Sequence, residues 1–132
     1  MSCKKNLYSY INERGENLVV DYINRLTPKH QNKIFESLWM LQTQPDIFHP
    51  PYVKAFRTER YKGIYELRTR IRQMSRILFV CADDNSIILL HGFIKTHHRT
   101  TEQALEQARA RWLALTSGNA SKTEFLLRRQ NN

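Results

Sequence analysis

Cations crowd into one stretch of this chain. Between Lys54 and Arg76 stand eight lysines or arginines against two glutamates, Glu59 and Glu66, and a further cation, Lys95, closes a later apolar run. That stretch holds two-thirds of the formal net charge of +9. The chemistry open to such residues is recognition of phosphate. A guanidinium is planar, multidentate and always charged, so Arg68 and Arg76 suit the clamping of phosphate oxygens. Lys95 offers a point charge, or an amine able to move a proton if its surroundings depress its pKa. Glu66 stands two residues before Arg68, on the same face of an extended strand, and either accepts a proton or pairs with Arg68 or Arg70. His91 titrates in the useful range, and either moves a proton or fills a core position among leucines. Lys54, Arg57, Lys62, Arg70 and Arg72 read as contacts to the backbone of a polyanion, which add salt-dependent affinity rather than specificity. His97, His98 and Arg99 follow Lys95 and either join those contacts or cap a helix.

No cysteine, histidine or carboxylate cluster has metal-ligand spacing. His97 and His98 are adjacent, and Glu102 is the one acid near them. The sequence therefore implies no metal and no cofactor.

The elements that must position these residues follow from apolar periodicity. Leu7 to Ile11 alternates and predicts a short first strand. Asn12-Glu-Arg-Gly15 is a turn, and Leu18, Val19, Tyr22, Ile23 and Leu26 have helical spacing over 16–26. Thr27 can cap, and Pro28 can open, a second helix that ends near Gln44, before Pro45. The two helices are expected as an antiparallel hairpin on one side of a sheet. Val53 to Thr58 predicts a short strand. In Ile64–Ile71, Tyr65, Leu67 and Ile71 face the helices, while Glu66, Arg68, Arg70 and Arg72 face an open side. Gln73-Met74-Ser75 is expected to turn the chain, Arg76–Cys81 to return, and Ala82-Asp-Asp-Asn85 to turn again. Ser86–Ile94 is apolar on both faces, as in a central strand. Its parity puts Lys95 with Ile87, Leu89, His91 and Phe93. A two-residue turn at Asp83-Asp84 would place His91 opposite Arg76; a shift by one places Phe93 there. Thr100 with Gln103 fits a capping box for a third helix running to about 116.

A chain of 132 residues with 41% hydrophobic content supports one core. The expected division is a domain over 1–116 and a polar tail over 117–132. The fold class is α+β: two N-terminal helices on a mainly antiparallel sheet of three to five strands, with a C-terminal helix. A pI near 9.9 favours nucleic acid or another acidic partner. Two cysteines, Cys3 and Cys81, make no disulfide framework, and the basic start has no apolar run behind it. Both point to a reduced cytoplasmic protein with no membrane partner.

Gly63-Ile-Tyr-Glu-Leu-Arg68, Ser75-Arg-Ile-Leu-Phe79 and Ile88-Leu-Leu-His-Gly-Phe-Ile-Lys95, followed by a polar loop and an Ala-rich helix, resemble the RelE/HigB superfamily of toxins, in its phage-derived HigB-like branch. The resemblance runs from about Tyr8 to Leu115. It implies a RelE-like fold and the toxin of a type II toxin–antitoxin system, an endoribonuclease that cuts mRNA on the ribosome without metal. It also implies a helix-turn-helix antitoxin as partner. The family's catalytic cations fall on Arg68, Arg76 and Lys95. Two positions depart from the branch's pattern: Thr96 stands where a second lysine is usual, and Thr101 where a proline commonly opens the last helix. The competing reading is a non-catalytic basic module of the same fold that grips RNA or an acidic protein.

Overall fold

A computed structural model of the chain describes residues 4–82 and 84–127. Among the described residues, nine elements run in the order β1 (Asn6–Ile11), α1 (Leu18–Asn24), α2 (Pro28–Thr43), β2 (Val53–Ala55), β3 (Ile64–Arg70), β4 (Met74–Ala82), β5 (Ser86–Ile94), α3 (His98–Thr116) and β6 (Ser121–Glu124). Single 3-10 turns occupy Pro45–Ile47 and Glu59–Tyr61. The strands form one mixed sheet in the order β2-β3-β4-β5-β1-β6, with β1 parallel to β5 and the other pairs antiparallel. The α+β class holds, but the sheet has six strands rather than three to five.

Local signals account for the helices. The Asn17 side chain accepts from the Val20 amide and starts α1 two residues later than periodicity alone suggests. Thr27 accepts from the His30 amide at 3.3 Å, with Pro28 at the first helical position. Both helices pack on one face. Val19, Tyr22, Ile23, Ile34, Leu38 and Leu41 meet Leu67, Ile77, Phe79, Ile87 and Leu89 in a first core.

The opposite face is not open. Ala104, Leu105 and Ala108 of α3 cover Ile64, Leu78, Val80, Ile88 and Leu90 there in a second core. This sandwiching explains why β5 is apolar on both faces. Thr100 does not cap α3. The helix begins at His98 after His97, which makes no side-chain cap bond, and the Thr100 hydroxyl instead meets that of Thr96 at 2.7 Å. The turn before β4 also comes earlier than expected, since Arg70 already pairs with Met74. Ser75 thus becomes a strand residue. Residues read as a polar tail hold β6, which pairs with β1, and Phe125 beyond it packs tilted against Phe35.

A bulge in β5 decides which residues share a face. Leu78 pairs with His91 but Phe79 with Leu89, leaving Leu90 as the extra residue. Parity therefore reverses. Ile87 and Leu89 face the α1/α2 layer, whereas His91, Phe93 and Lys95 follow Ile88 and Leu90 onto the α3 face. The reversal also turns Gly92 toward α1, where a Cβ would run into the Tyr22 ring. That ring cannot yield cheaply, because its hydroxyl is held at 2.7 Å from Ser75 Oγ and donates to the Phe93 carbonyl at 3.2 Å. Gly92→Ala should therefore destabilise the fold by roughly 1–3 kcal/mol. Urea denaturation measures it, and an unchanged midpoint would contradict this packing.

Candidate phosphate-binding site

The α3 face of the sheet carries three cross-strand rows that run from beneath α3, where Leu78 is buried, toward the β3–β4 turn, where Arg70 and Met74 are exposed. Lys54, Glu66, Leu78 and His91 lie opposite one another in the first, and Arg68, Arg76 and Phe93 in the second. Arg70 and Met74 form the third, completed by Lys95, whose amide donates to the Met74 carbonyl at 2.9 Å. Arg76 thus faces Phe93 rather than His91. Lys95 is its diagonal neighbour, on the order of 7–8 Å away by sheet geometry.

Glu66 is the hinge of the cluster. Its side chain is 1% exposed, and one oxygen, Oε1, serves two cations: Arg68 Nε donates to it at 3.0 Å, and Arg76 Nε lies 3.5 Å away. The Arg76 contact is an ion pair without hydrogen-bond alignment. Arg76 Nε and Glu66 Oε2 make no hydrogen bond among the described residues. Arg76 donates through Nη1 to the Ser75 carbonyl at 3.3 Å. Burial works against its charge, Glu66 offsets that, and Arg68 adds repulsion. Arg68 keeps 28% of its side chain exposed against 6% for Arg76. Two like charges thus share one carboxylate, the deeper one nearly sealed and the outer one facing solvent.

His91 belongs to a different arrangement. Its ring stacks on Phe93, with centroids 5.7 Å apart and planes 17° from parallel. Arg111, a residue with no signal in the sequence, reaches under it from α3, with Nη1 2.7 Å from the Leu90 carbonyl and 2.9 Å from His91 Nδ1. A guanidinium only donates, so Nδ1 accepts and Nε2 carries the proton. Burial first, and the Arg111 charge second, push the His91 pKa down to about 4. The unfolded chain then binds this proton near pH 6.5 while the folded one refuses it until about 4. Stability from this site is complete above pH 6.5 and falls as pH drops, by about 2 kcal/mol between pH 7 and 5. His91→Phe should remove most of that slope in urea titrations. An equal slope in the variant would contradict the assignment.

Arg57 and Lys62 stand exposed on the loops beside β2 and β3, Arg72 is exposed at the β3–β4 turn, and His97, His98 and Arg99 are exposed at the start of α3. Lys54 lies with its Nζ over the Phe56 ring, 5.1 Å from the centroid. None of these joins the Glu66 contacts. Arg60 is engaged elsewhere: its Nε and Nη2 donate to Glu106 of α3 at 2.6 and 2.7 Å, and the Tyr61 hydroxyl donates to the same carboxylate. These bonds hold the Glu106 pKa down to about 2.

Among the described residues, no three His, Cys, Asp or Glu side chains gather where a metal ion could be held, and no helix is long and apolar enough to cross a membrane. Cys81 is a free, exposed thiol; Cys3 and Asp83 lie outside the described residues. The family model described as "Phage derived protein Gp49-like (DUF891)" matches residues 21–113, from α1 to near the end of α3. That span includes Glu66, Arg68, Arg76, His91 and Lys95. No curated protein matches the chain significantly.

Proposed function

The chain belongs to the phage-derived Gp49-like family, a family of RelE/HigB-like toxins, and from that premise we propose that it is the toxin of a type II toxin–antitoxin pair. In this reading it is an endoribonuclease that cuts mRNA on the ribosome without metal, and a helix-turn-helix antitoxin neutralises it. The observation that carries the proposal is the Glu66–Arg68–Arg76 cluster with Lys95 diagonal to it, beside the exposed sheet end at Arg70 and Met74.

In RNA cleavage of this kind the ribose 2′-oxygen attacks phosphorus and the P–O5′ bond breaks. The products are a 2′,3′-cyclic phosphate and a 5′-hydroxyl. The 2′-OH proton leaves to water, and the departing 5′-oxygen takes one up. Charge accumulates on the phosphorane oxygens, and fixed cations aimed there lower the barrier. Arg68 is exposed enough to take the non-bridging oxygens, and Arg76 supplies positive potential from beneath. Lys95 adds a third charge on the same face. Glu66 is buried and bonded, which supports orientation of the arginines rather than proton transfer. His91, neutral and bound through Nδ1, is equally unsuited to act as a base. His97, His98, Arg99, Lys54, Arg57, Lys62, Arg70 and Arg72 serve as contacts to RNA or ribosome backbone.

Expression of the chain in bacteria tests this reading: growth should stop and transcripts should acquire new 5′-hydroxyl ends within reading frames. Unbroken transcripts, with binding that weakens steeply in salt, would favour the non-catalytic module instead. The one observation on that side is that neither Glu66 nor His91 is free to move a proton.

A further inference from the structure

Phe93 belongs to two neighbourhoods. Across the strand it faces Arg76, and along its own strand it stacks with His91. The paired rings form one wall of a cleft of about 670 Å³ whose other wall is α3. Ala104 and Ala110 keep the helix wall short, and Gln103 and Gln107 stand one turn apart on it. Neither glutamine amide is engaged among the described residues, and each offers two donors and an acceptor.

The cleft differs in charge from the cluster next to it. His91 is neutral in the tautomer that Arg111 imposes. The Glu106 carboxylate at the rim is taken by Arg60 and Tyr61. A strongly cationic patch therefore adjoins an uncharged pocket of stacked rings and amides. A ligand matching both halves has an anionic group joined to a neutral, planar, polar ring, which describes a nucleotide.

We propose that this cleft is a nucleobase subsite, with the base seated against His91 and Phe93, its edge read by Gln103 and Gln107, and its phosphate at Arg68, with the Arg76 charge beneath. The inference deepens the RNA reading above and rests on it for its substrate, but it can be tested without cleavage. The four ribonucleoside 3′-monophosphates, and inorganic phosphate as the baseless probe, are titrated separately into the labelled full chain by NMR. One or two of the nucleotides should shift the Gln103 and Gln107 side-chain amides and the His91 ring, and inorganic phosphate should not. Gln103→Ala with Gln107→Ala, both exposed helical positions where alanine is well tolerated, should weaken the preferred nucleotide by about fivefold and level the four affinities. Equal binding of nucleotides and phosphate, shifts confined to Arg68, Arg76 and Lys95, or no shifts at all would overturn the subsite. RNA cut by the double variant with an unchanged base profile would overturn it while leaving the nuclease standing. Base-selective shifts in the cleft, with RNA never cut, would uphold the subsite and remove the nuclease.

Discussion

In the proposed cleavage, Arg68→Ala combined with Lys95→Ala should slow the reaction by about 10³-fold, because each would remove a fixed charge from the developing phosphorane. Both side chains are partly exposed, near the end of the α3 face that carries the exposed Arg70 and Met74. The change should therefore act on function far more than on folding. Losing Arg68 still leaves Glu66 with Arg76 at 3.5 Å, so the stability cost should stay at about 1–2 kcal/mol. Cleavage rates and urea midpoints measured on the same preparation separate the two effects. Cleavage near the wild-type rate in a folded double variant would remove these residues from the site. The arginine and lysine should also fail to substitute for one another: a compact ammonium cannot reproduce the planar fork of Arg68.

The second large effect is on stability. Glu66→Ala should destabilise the fold by about 3–5 kcal/mol, because it leaves Arg76 buried beside Arg68 with no anion. A buried pair can break even against apolar residues of similar size, so Glu66→Met together with Arg76→Met should recover most of that loss. A cost for Glu66→Ala below about 1 kcal/mol would show that the carboxylate is not holding the arginines. Cleavage by the double Met variant should nevertheless stay low, since neither the deep charge nor the holder of Arg68 survives. Stability restored without activity is the signature expected of a positioning residue.

Much of this site could be read from residue types alone. The alternation in Ile64–Arg70 separates Leu67 from Glu66 and Arg68 because side chains on a strand alternate between faces. Thr27-Pro28 marks the start of α2 for reasons local to four residues. What escaped the sequence depends on contacts distant along the chain. The bulge at Leu90 reverses the parity of β5, and no residue in Ser86–Lys95 announces it. Only the observed register decides that Phe93, and not His91, faces Arg76. The fate of His91 turned on Arg111, twenty residues later, and an arginine on a helix carries no sign of which strand it reaches. The four exposed residues of β6 lack any apolar alternation, as suits a short edge strand held by its backbone bonds to β1. The α3 cover was missed because the cations of β3 suggested an open face. The helix covers the apolar end of those strands, and exposure then rises from the buried Glu66 and Arg76 through Arg68 to Arg70.

Promotion of 2′-oxygen attack by these cations, as proposed, is tested most directly by one measurement. The purified chain is incubated with ribosomes and message in excess chelator. One message is unmodified, and another carries a single 2′-deoxynucleotide at the mapped cut. The first should be cleaved, with a 2′,3′-cyclic phosphate and a 5′-hydroxyl as products, and the second should stay intact at that position. Cleavage that persists at the deoxynucleotide, or that requires an added divalent ion, would contradict it.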